Sequence, residues 1–331
     1  MLEEKTKEVL VLVPCDEEQK KILHNSFDSE YHFIFQDEYA SEYFMMVCEN
    51  YIRNAEIIIG EPDIIDITKE KAPNLKWIQM TWAGTDKYTR DEGFPQNLIL
   101  TNASGAFGVI ISEYILAGIL NLYRRFTEYR DQQRNHEWKD LGTEECLYGK
   151  RILIMGTGNI GTETAKRLKA FDCYISGIRR KDILPEYFDE VHLVKELSEE
   201  LEKADIVINC MPNNSESIGL MTRERFAVMK SNAIFVNVGR GLLLEEGAIE
   251  WALQEKKIAG AVLDVQRMEP LDKQSVLWDM ENVLITPHVS GTSFGHSKIT
   301  EDKIWEIVRK NLKRYVNGLP LLNKVCFEEY R

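Results

Sequence analysis

The chain has 331 residues, more than one hydrophobic core usually sustains, so two domains are expected. With 44% hydrophobic and 29% charged residues its composition is that of a globular protein, neither disordered nor fibrous. Lys+Arg 41 against Asp+Glu 54 leaves a net charge of −13, a field that repels nucleic acid and anionic membrane surfaces.

The opening MLEEKTKEVLVLVP couples an acidic leader to five apolar residues, unlike a signal peptide. No apolar run reaches the roughly 20 residues of a membrane-spanning helix. Six scattered cysteines without a C-x-x-C pair read as reduced thiols, and a cytoplasmic protein is expected. Residues 9–13, 32–35, 56–59, 77–80 and 98–100 read as strands rich in Val, Ile, Leu and aromatic residues, with charged helical stretches between them. A long helix is expected from about Ser112 to Arg134 on its apolar periodicity. The alternation then restarts: strands at 151–155, 173–178, 191–194, 206–210, 233–238, 259–263 and 283–285, with a helix at 160–171. A Gly/Ser-rich stretch after Pro287 leads to an amphipathic helix at about 298–316, which has no local sheet to cover.

Strand–helix alternation of this kind predicts an α/β protein with two doubly wound parallel-sheet domains. One is flavodoxin-like and discontinuous, residues 1–101 with 292–331; the other is a Rossmann dinucleotide-binding domain, residues 102–291. The crossings between them, near Asn102 and Val289, are expected to act as a hinge.

Gly156-Thr157-Gly158-Asn159-Ile160-Gly161 follows an apolar strand and opens a helix. The first glycine permits the turn, the second admits a pyrophosphate, and the third lets helix pack on strand, while the helix N-terminus supplies donors and a positive dipole end. An NAD site calls for a carboxylate at the end of the next strand. Arg179-Arg180-Lys181 stands there instead, and a guanidinium grips a 2′-phosphate that a carboxylate would repel. NADP(H) is therefore the expected cofactor, with NAD(H) as the alternative.

Three further segments fall at expected strand ends: Val238-Gly239-Arg240-Gly241, Asp264-Val265-Gln266-Arg267-Met268-Glu269-Pro270 and Thr286-Pro287-His288-Val289-Ser290-Gly291. Ligands of doubly wound sheets bind outside these carboxyl ends, so Arg240, Glu269 and His288 can converge there. Chemically the set suits reduction of a 2-keto acid. Arginine holds the substrate carboxylate and polarises the keto oxygen, histidinium protonates that oxygen, and glutamate holds the imidazole and favours its charged form. The remaining histidines, His24, His32, His136, His192 and His296, have no partner motif, and no metal site is expected.

With TNASG…SEYILAGIL, GTGNIG, VNVGRG, LDV…EPL, SVLW and NVLITPHVSG in order, residues 101–291 resemble the D-isomer-specific 2-hydroxyacid dehydrogenase family. The resemblance implies Arg240 as the substrate arginine, Glu269 as the partner carboxylate, His288 as the acid/base, and Asp264 as a contact to the nicotinamide carboxamide. It makes the discontinuous domain the substrate domain, and it places Met211, Pro212, Val238, Gly239 and Gly291 along the cofactor. Trp82-Ala83-Gly84-Thr85 matches the family loop whose backbone amides hold the substrate carboxylate. Asn213-Asn214 departs from the family's usual Thr, and Gln266 from its usual aromatic or Thr. The basic cluster and Glu128–Trp138 resemble the NADPH-preferring glyoxylate/hydroxypyruvate reductase branch. The expected activity is hydride transfer between NADP(H) and a small 2-keto or D-2-hydroxy acid such as glyoxylate, hydroxypyruvate or pyruvate. A homodimer through the 112–134 region is also implied. The competing reading is a non-catalytic dinucleotide sensor on the same fold; formate oxidation, which in this family pairs the histidine with glutamine, fits Glu269 less well.

Overall fold

Short apolar runs bounded by charged helices favour strands buried on both faces, and the computed structural model of the chain is built from them. It describes residues 7–27, 29–38, 41–95 and 97–329. Two compact units result: one runs to Ala106 and resumes at Thr292, the other is Phe107–Gly291. The expected α/β class, with two wholly parallel sheets, is the observed one.

In the first unit β1 (Lys7–Val11), α1 (Glu17–Phe27), β2 (Tyr31–Phe35), α2 (Ser41–Asn54), β3 (Ala55–Ile59), β4 (Trp77–Gln79), α3 (Asp86–Thr89) and β5 (Ile99–Thr101) follow one another. The strands pair in the order β2-β1-β3-β4-β5, a flavodoxin-like arrangement. Every residue of β3, the sheet's middle strand, is buried. Asp16 Oδ1 accepts the Gln19 amide at 2.8 Å and so caps α1, whose Leu23 and Phe27, four residues apart, face inward.

The second unit contains α4 (Gly108–Tyr123), α5 (Phe126–Arg134), β6 (Arg151–Met155), α6 (Asn159–Lys169), β7 (Tyr174–Ile178), β8 (Glu190–His192), α7 (Leu197–Lys203), β9 (Ile206–Asn209), α8 (Arg223–Ala227), β10 (Ile234–Asn237), α9 (Ala248–Gln254), β11 (Gly260–Leu263) and β12 (Val283–Ile285). Its strands run β12-β11-β10-β9-β6-β7-β8, so strand order reverses between β6 and β9, where doubly wound sheets bind nucleotides. Leu153, Val207, Phe235 and Leu263 from the strands and Leu201, Phe226 and Leu253 from the helices share one core.

The single helix expected over 112–134 is two. Arg125 takes a left-handed backbone (φ 53°), and the chain turns there before α5 begins. The Arg124 amide still bonds Leu120 O at 2.9 Å, while Arg125 Nε pairs with Glu128 at 2.9 Å and so fixes the bend. The apolar series of α4 ends at the break: no residue of α5 is buried, and Phe126 at its start is exposed.

The last helix, α10 (Lys298–Val316), is capped by Ser297 Oγ, which accepts from the Thr300 amide, and carries Lys313 and Arg314 at its negative dipole end. Ile304, Trp305, Val308, Asn311 and Leu312 form its buried stripe. It lies on the first unit's sheet, with the Tyr315 ring stacked on Trp77 at 5.1 Å and Asn311 Nδ2 donating to Gln79 Oε1 at 2.8 Å. Among the described residues no helix is long and apolar enough to cross a membrane.

Candidate active site

The glycine turn closes the carboxyl end of β6, the strand beside the point of reversal. Gly156 has φ 93°, and a Cβ there would press on the Cys210 carbonyl carbon at 3.0 Å. At Gly161 a Cβ would run into the Gly156 carbonyl oxygen, which is why helix and strand can pack so closely only with glycine. Gly158 differs: a Cβ there meets no protein atom within 4 Å. The protein does not fill that space, and it lies at the start of α6, whose first N–H groups carry no side-chain cap. A pyrophosphate fits such a cradle by charge and by donor geometry. Asn159 Oδ1 accepts from the Gly108 amide at 3.1 Å and, with Ile160, begins the helix. One strand further, the Arg179 amide donates to His192 O at 3.0 Å and its guanidinium to Ile183 O, while Arg180 and Lys181 are exposed.

A fully buried amide pair ties the ends of β9 and β10. Asn209 Nδ2 donates to Asn237 Oδ1 at 2.8 Å, Asn209 Oδ1 accepts the Met211 amide at 3.0 Å, and Asn237 Nδ2 donates to Arg240 O at 3.3 Å. One network therefore sets the backbone of both Met211-Pro212 and Gly239-Arg240. At Gly239 a Cβ would sit 2.6 Å from Met211 O, so these two loops touch. The Val238 amide continues the ladder to Asn209 O at 3.2 Å. Arg240 Nη1 rests on Gly239 O at 2.8 Å. Next to it, Gly241 abuts the Gln266 carbonyl too closely for any side chain, which draws the loop after β10 onto the loop after β11.

On that second loop Glu269 Oε1 accepts the Gln266 amide at 2.9 Å and Oε2 lies 2.9 Å from His288 Nδ1. The loop carrying His288 follows β12. His288 itself is left-handed (φ 56°), a conformation that costs a non-glycine residue about 1–2 kcal/mol. Asp264, 1% exposed at the end of β11, offsets that cost. Its carbonyl accepts the His288 amide at 2.8 Å, and its carboxylate accepts from Val289 N at 2.8 Å, Ser290 N at 3.0 Å and Thr286 Oγ1 at 2.6 Å. Gly291 ends the loop against α4, where a Cβ would meet Ile111 at 2.9 Å. Arg240, Glu269 and His288 thus follow three neighbouring strands, β10, β11 and β12, at the same end of the sheet, and two of them are in direct contact.

In the first unit the loop after β4 is organised from below by Glu61, whose Oε1 accepts Thr81 N at 2.6 Å and Trp82 N at 3.1 Å. Burial pushes the Glu61 carboxyl above the usual carboxylate range, while those bonds oppose the rise. The Trp82 amide is therefore already spent. Ala83 and Gly84 retain theirs among the bonds described, and the Ala83 carbonyl is held by Asn102 Nδ2 at 2.8 Å. Trp82 is about half exposed.

His192, given no role by its sequence context, joins Glu190 and Glu200 at 3.4 and 3.5 Å. Arg151 contacts both carboxylates and Lys203 bonds Glu200 at 2.6 Å, so cations already neutralise this acidic group. Sequence reasoning passed over Tyr114, Thr286, Asn209, Asn237 and Glu61, whose partners stand far away along the chain. Only the Thr-Pro-His and Val-Asn-Val-Gly-Arg runs mark two of them.

The chain is similar to proteins of one known family. The family model for the D-isomer specific 2-hydroxyacid dehydrogenase, NAD binding domain, matches residues 116–290. A glyoxylate reductase of Pyrococcus horikoshii is 31% identical over 260 residues, 75% of each chain. Among solved structures, a D-isomer specific 2-hydroxyacid dehydrogenase family protein from Aeromonas salmonicida superposes with TM-score 0.86 at 32% identity, covering 97% of this chain and 99% of that one. A probable 2-hydroxyacid dehydrogenase from Rhizobium etli, solved with NADP, HEPES and L(+)-tartaric acid, gives TM-score 0.76 at 26% identity, covering 97% and 99%.

Proposed function

The chain belongs to the D-isomer specific 2-hydroxyacid dehydrogenase family, and we propose that it reduces small 2-keto acids, of which glyoxylate, hydroxypyruvate and pyruvate are the candidates, with NADP(H) preferred over NAD(H). The observation that carries this reading is the 2.9 Å contact between His288 Nδ1 and Glu269 Oε2 at the strand ends that also present Arg240.

Gly156, Gly158, Asn159, Ile160 and Gly161 would hold the pyrophosphate, with Met211, Pro212, Val238, Gly239, Asp264 and Gly291 along the rest of the dinucleotide. When bound, the nicotinamide supplies the hydride to the keto carbon. The protein's own work is positioning and proton transfer. Glu269 accepts Nδ1–H and so fixes the tautomer, which leaves Nε2–H of the imidazolium to donate to the keto oxygen. Arg240 offers a planar pair of donors to the substrate carboxylate and polarises the adjacent carbonyl. After transfer the neutral ring keeps its Nδ1 proton on Glu269 and regains the other from water. For Trp82-Ala83-Gly84 the proposal is a share in holding the carboxylate; it is supported by the resemblance and by the Ala83 and Gly84 amides.

The preference for NADP(H) is supported by Arg179, Arg180 and Lys181 where an NAD site carries an acid, and by the NADP found with the Rhizobium etli protein. Steady-state reduction of glyoxylate should run with higher kcat/KM on NADPH than on NADH. Arg179→Ser should lower the NADPH value about 10- to 100-fold, the worth of a charge-assisted bond to phosphate, and leave the NADH value within about twofold. Equal use of both nucleotides by the parent chain would refute the preference.

A second copy of the chain is proposed as the partner of α5 and the segment after it. No residue of α5 is buried, and the aromatic rings of Phe126 and Trp138 are exposed, as they would be on a face that a second chain covers. Sedimentation equilibrium should give twice the 38.4 kDa chain mass, and Phe126→Asp with Trp138→Ser should halve it. A parent mass of one chain would remove the dimer.

A further inference from the structure

We propose that Tyr114 and Thr286 are positioning residues for the acid/base, acting through Asp264 on the backbone that carries His288. The inference rests on the reading of His288 as the proton-exchanging group and adds to it the device that aims the ring. Tyr114 lies in α4, 172 positions before Thr286, and their oxygens are 2.6 Å apart; Thr286 Oγ1 is in turn 2.6 Å from Asp264 Oδ1. Counting protons gives this chain one direction. A carboxylate only accepts, so the single hydroxyl proton of Thr286 goes to Asp264, and Tyr114 must donate to Thr286. Burial pushes the Tyr114 hydroxyl up to about 12, which keeps its proton in place at neutral pH.

The far end of the chain is where position matters. Asp264 Oδ1 also takes the Val289 amide and Oδ2 the Ser290 amide, while Asp264 O takes the amide of His288 itself. Three successive N–H groups, beginning at the histidine, converge on one buried residue, and the histidine that begins the run is left-handed. Among the bonds described, Thr286 is the one side chain that donates to this carboxylate. Without its hydroxyl the carboxylate can turn about its own axis, and the Val289 and Ser290 amides, which adjoin His288, turn with it. A shift of that kind moves the imidazole relative to a substrate bound elsewhere, and a misplacement of about 1 Å costs on the order of 100-fold in rate. Purely structural bonding would act on stability and leave the turnover of folded protein alone.

Thr286→Val removes the hydroxyl at constant shape, Thr286→Ser restores it, and Tyr114→Phe removes only the outer bond. Each is made in the full chain and also combined with His288→Ala. Nucleotide binding, read by quenching of tryptophan fluorescence with NADPH, counts competent sites before rates are compared. Per competent site, Thr286→Val should lower kcat for glyoxylate about 10- to 100-fold, as loss of a bond to a charged acceptor does, with glyoxylate KM and NADPH Kd within about threefold. Thr286→Ser should return kcat to within about twofold and Tyr114→Phe should cost about two- to tenfold, the worth of a neutral hydrogen bond. In the His288→Ala background Thr286→Val should cost nothing further, because the group it aims is gone. The same proportional loss in both backgrounds, or a loss that Thr286→Ser does not recover, overturns the inference. A parent-like rate for His288→Ala alone overturns instead the reading of His288 on which it rests.

Discussion

Replacing His288 by alanine is expected to lower kcat for 2-keto acid reduction about 10²–10⁴-fold, the span over which a positioned general acid contributes. NADPH binding should stay within about threefold, since the loop's backbone is pinned by Asp264 through main-chain amides that alanine also has. The left-handed backbone at 288 (φ 56°) is no easier for alanine than for histidine, so the variant should lose little stability from that source. Glu269→Gln provides the companion measurement. A glutamine keeps the shape but has one acceptor oxygen, so it can take the Nδ1 proton only by turning its NH2 toward the Gln266 amide, and the negative charge opposite the imidazolium is gone. The loss should be smaller than for His288→Ala, because the imidazole itself remains. Stopped-flow single turnovers with NADPH separate this chemistry from product release. An unchanged rate for His288→Ala removes the histidine from the mechanism.

Much of the candidate site is legible in the sequence because its residues sit in short runs. GTGNIG needs its neighbours only within one strand–turn–helix unit, and the open space beside Gly158 is what such a turn leaves. Arg240, Glu269 and His288 each mark the end of a strand, so a sheet order alone brings them to one edge. The supports of these residues are of another kind. Asn209 meets Asn237, Tyr114 meets Thr286 and Glu61 meets Thr81 and Trp82 across 20 to 172 positions. An asparagine or threonine at a strand end looks the same in sequence whether its amide or hydroxyl faces solvent or completes a buried network. Only packing decides, and burial makes each such bond costly to lose.

The break at Arg125 illustrates a second limit. A helix end usually announces itself by glycine in the left-handed position, but here an arginine occupies it (φ 53°) and its side chain pairs with Glu128. With Phe126 directly after the break and no glycine or proline in it, the sequence carries no stop signal there. Asp264 shows the converse. The resemblance directs it to the nicotinamide carboxamide, whereas its carboxylate also supports the His288 loop through three donors; one acidic side chain with about four acceptor positions can serve both.

Arg240→Gln is expected to lower kcat/KM for glyoxylate about 10²–10³-fold, the cost of removing a preorganised donor from a site where negative charge develops. Arg240 Nη1 donates to Gly239 O at 2.8 Å, a neutral acceptor that holds a guanidinium more weakly than a carboxylate does. The backbone around it does not depend on that side chain: Asn237 Nδ2 holds Arg240 O, and Gly241 is wedged against Gln266. The variant should therefore fold and bind NADPH as the parent does, which separates loss of substrate from loss of structure. Arg240→Lys keeps the charge but not the planar fork, and should recover only part of the deficit. The decisive comparison uses an aldehyde that lacks the carboxylate. If Arg240 holds that carboxylate, the parent should prefer glyoxylate strongly over such an aldehyde and Arg240→Gln should erase most of the preference by losing only the glyoxylate rate. A variant that slows both substrates in the same proportion would assign the arginine to the carbonyl alone, and an undiminished rate on glyoxylate would take it out of the site.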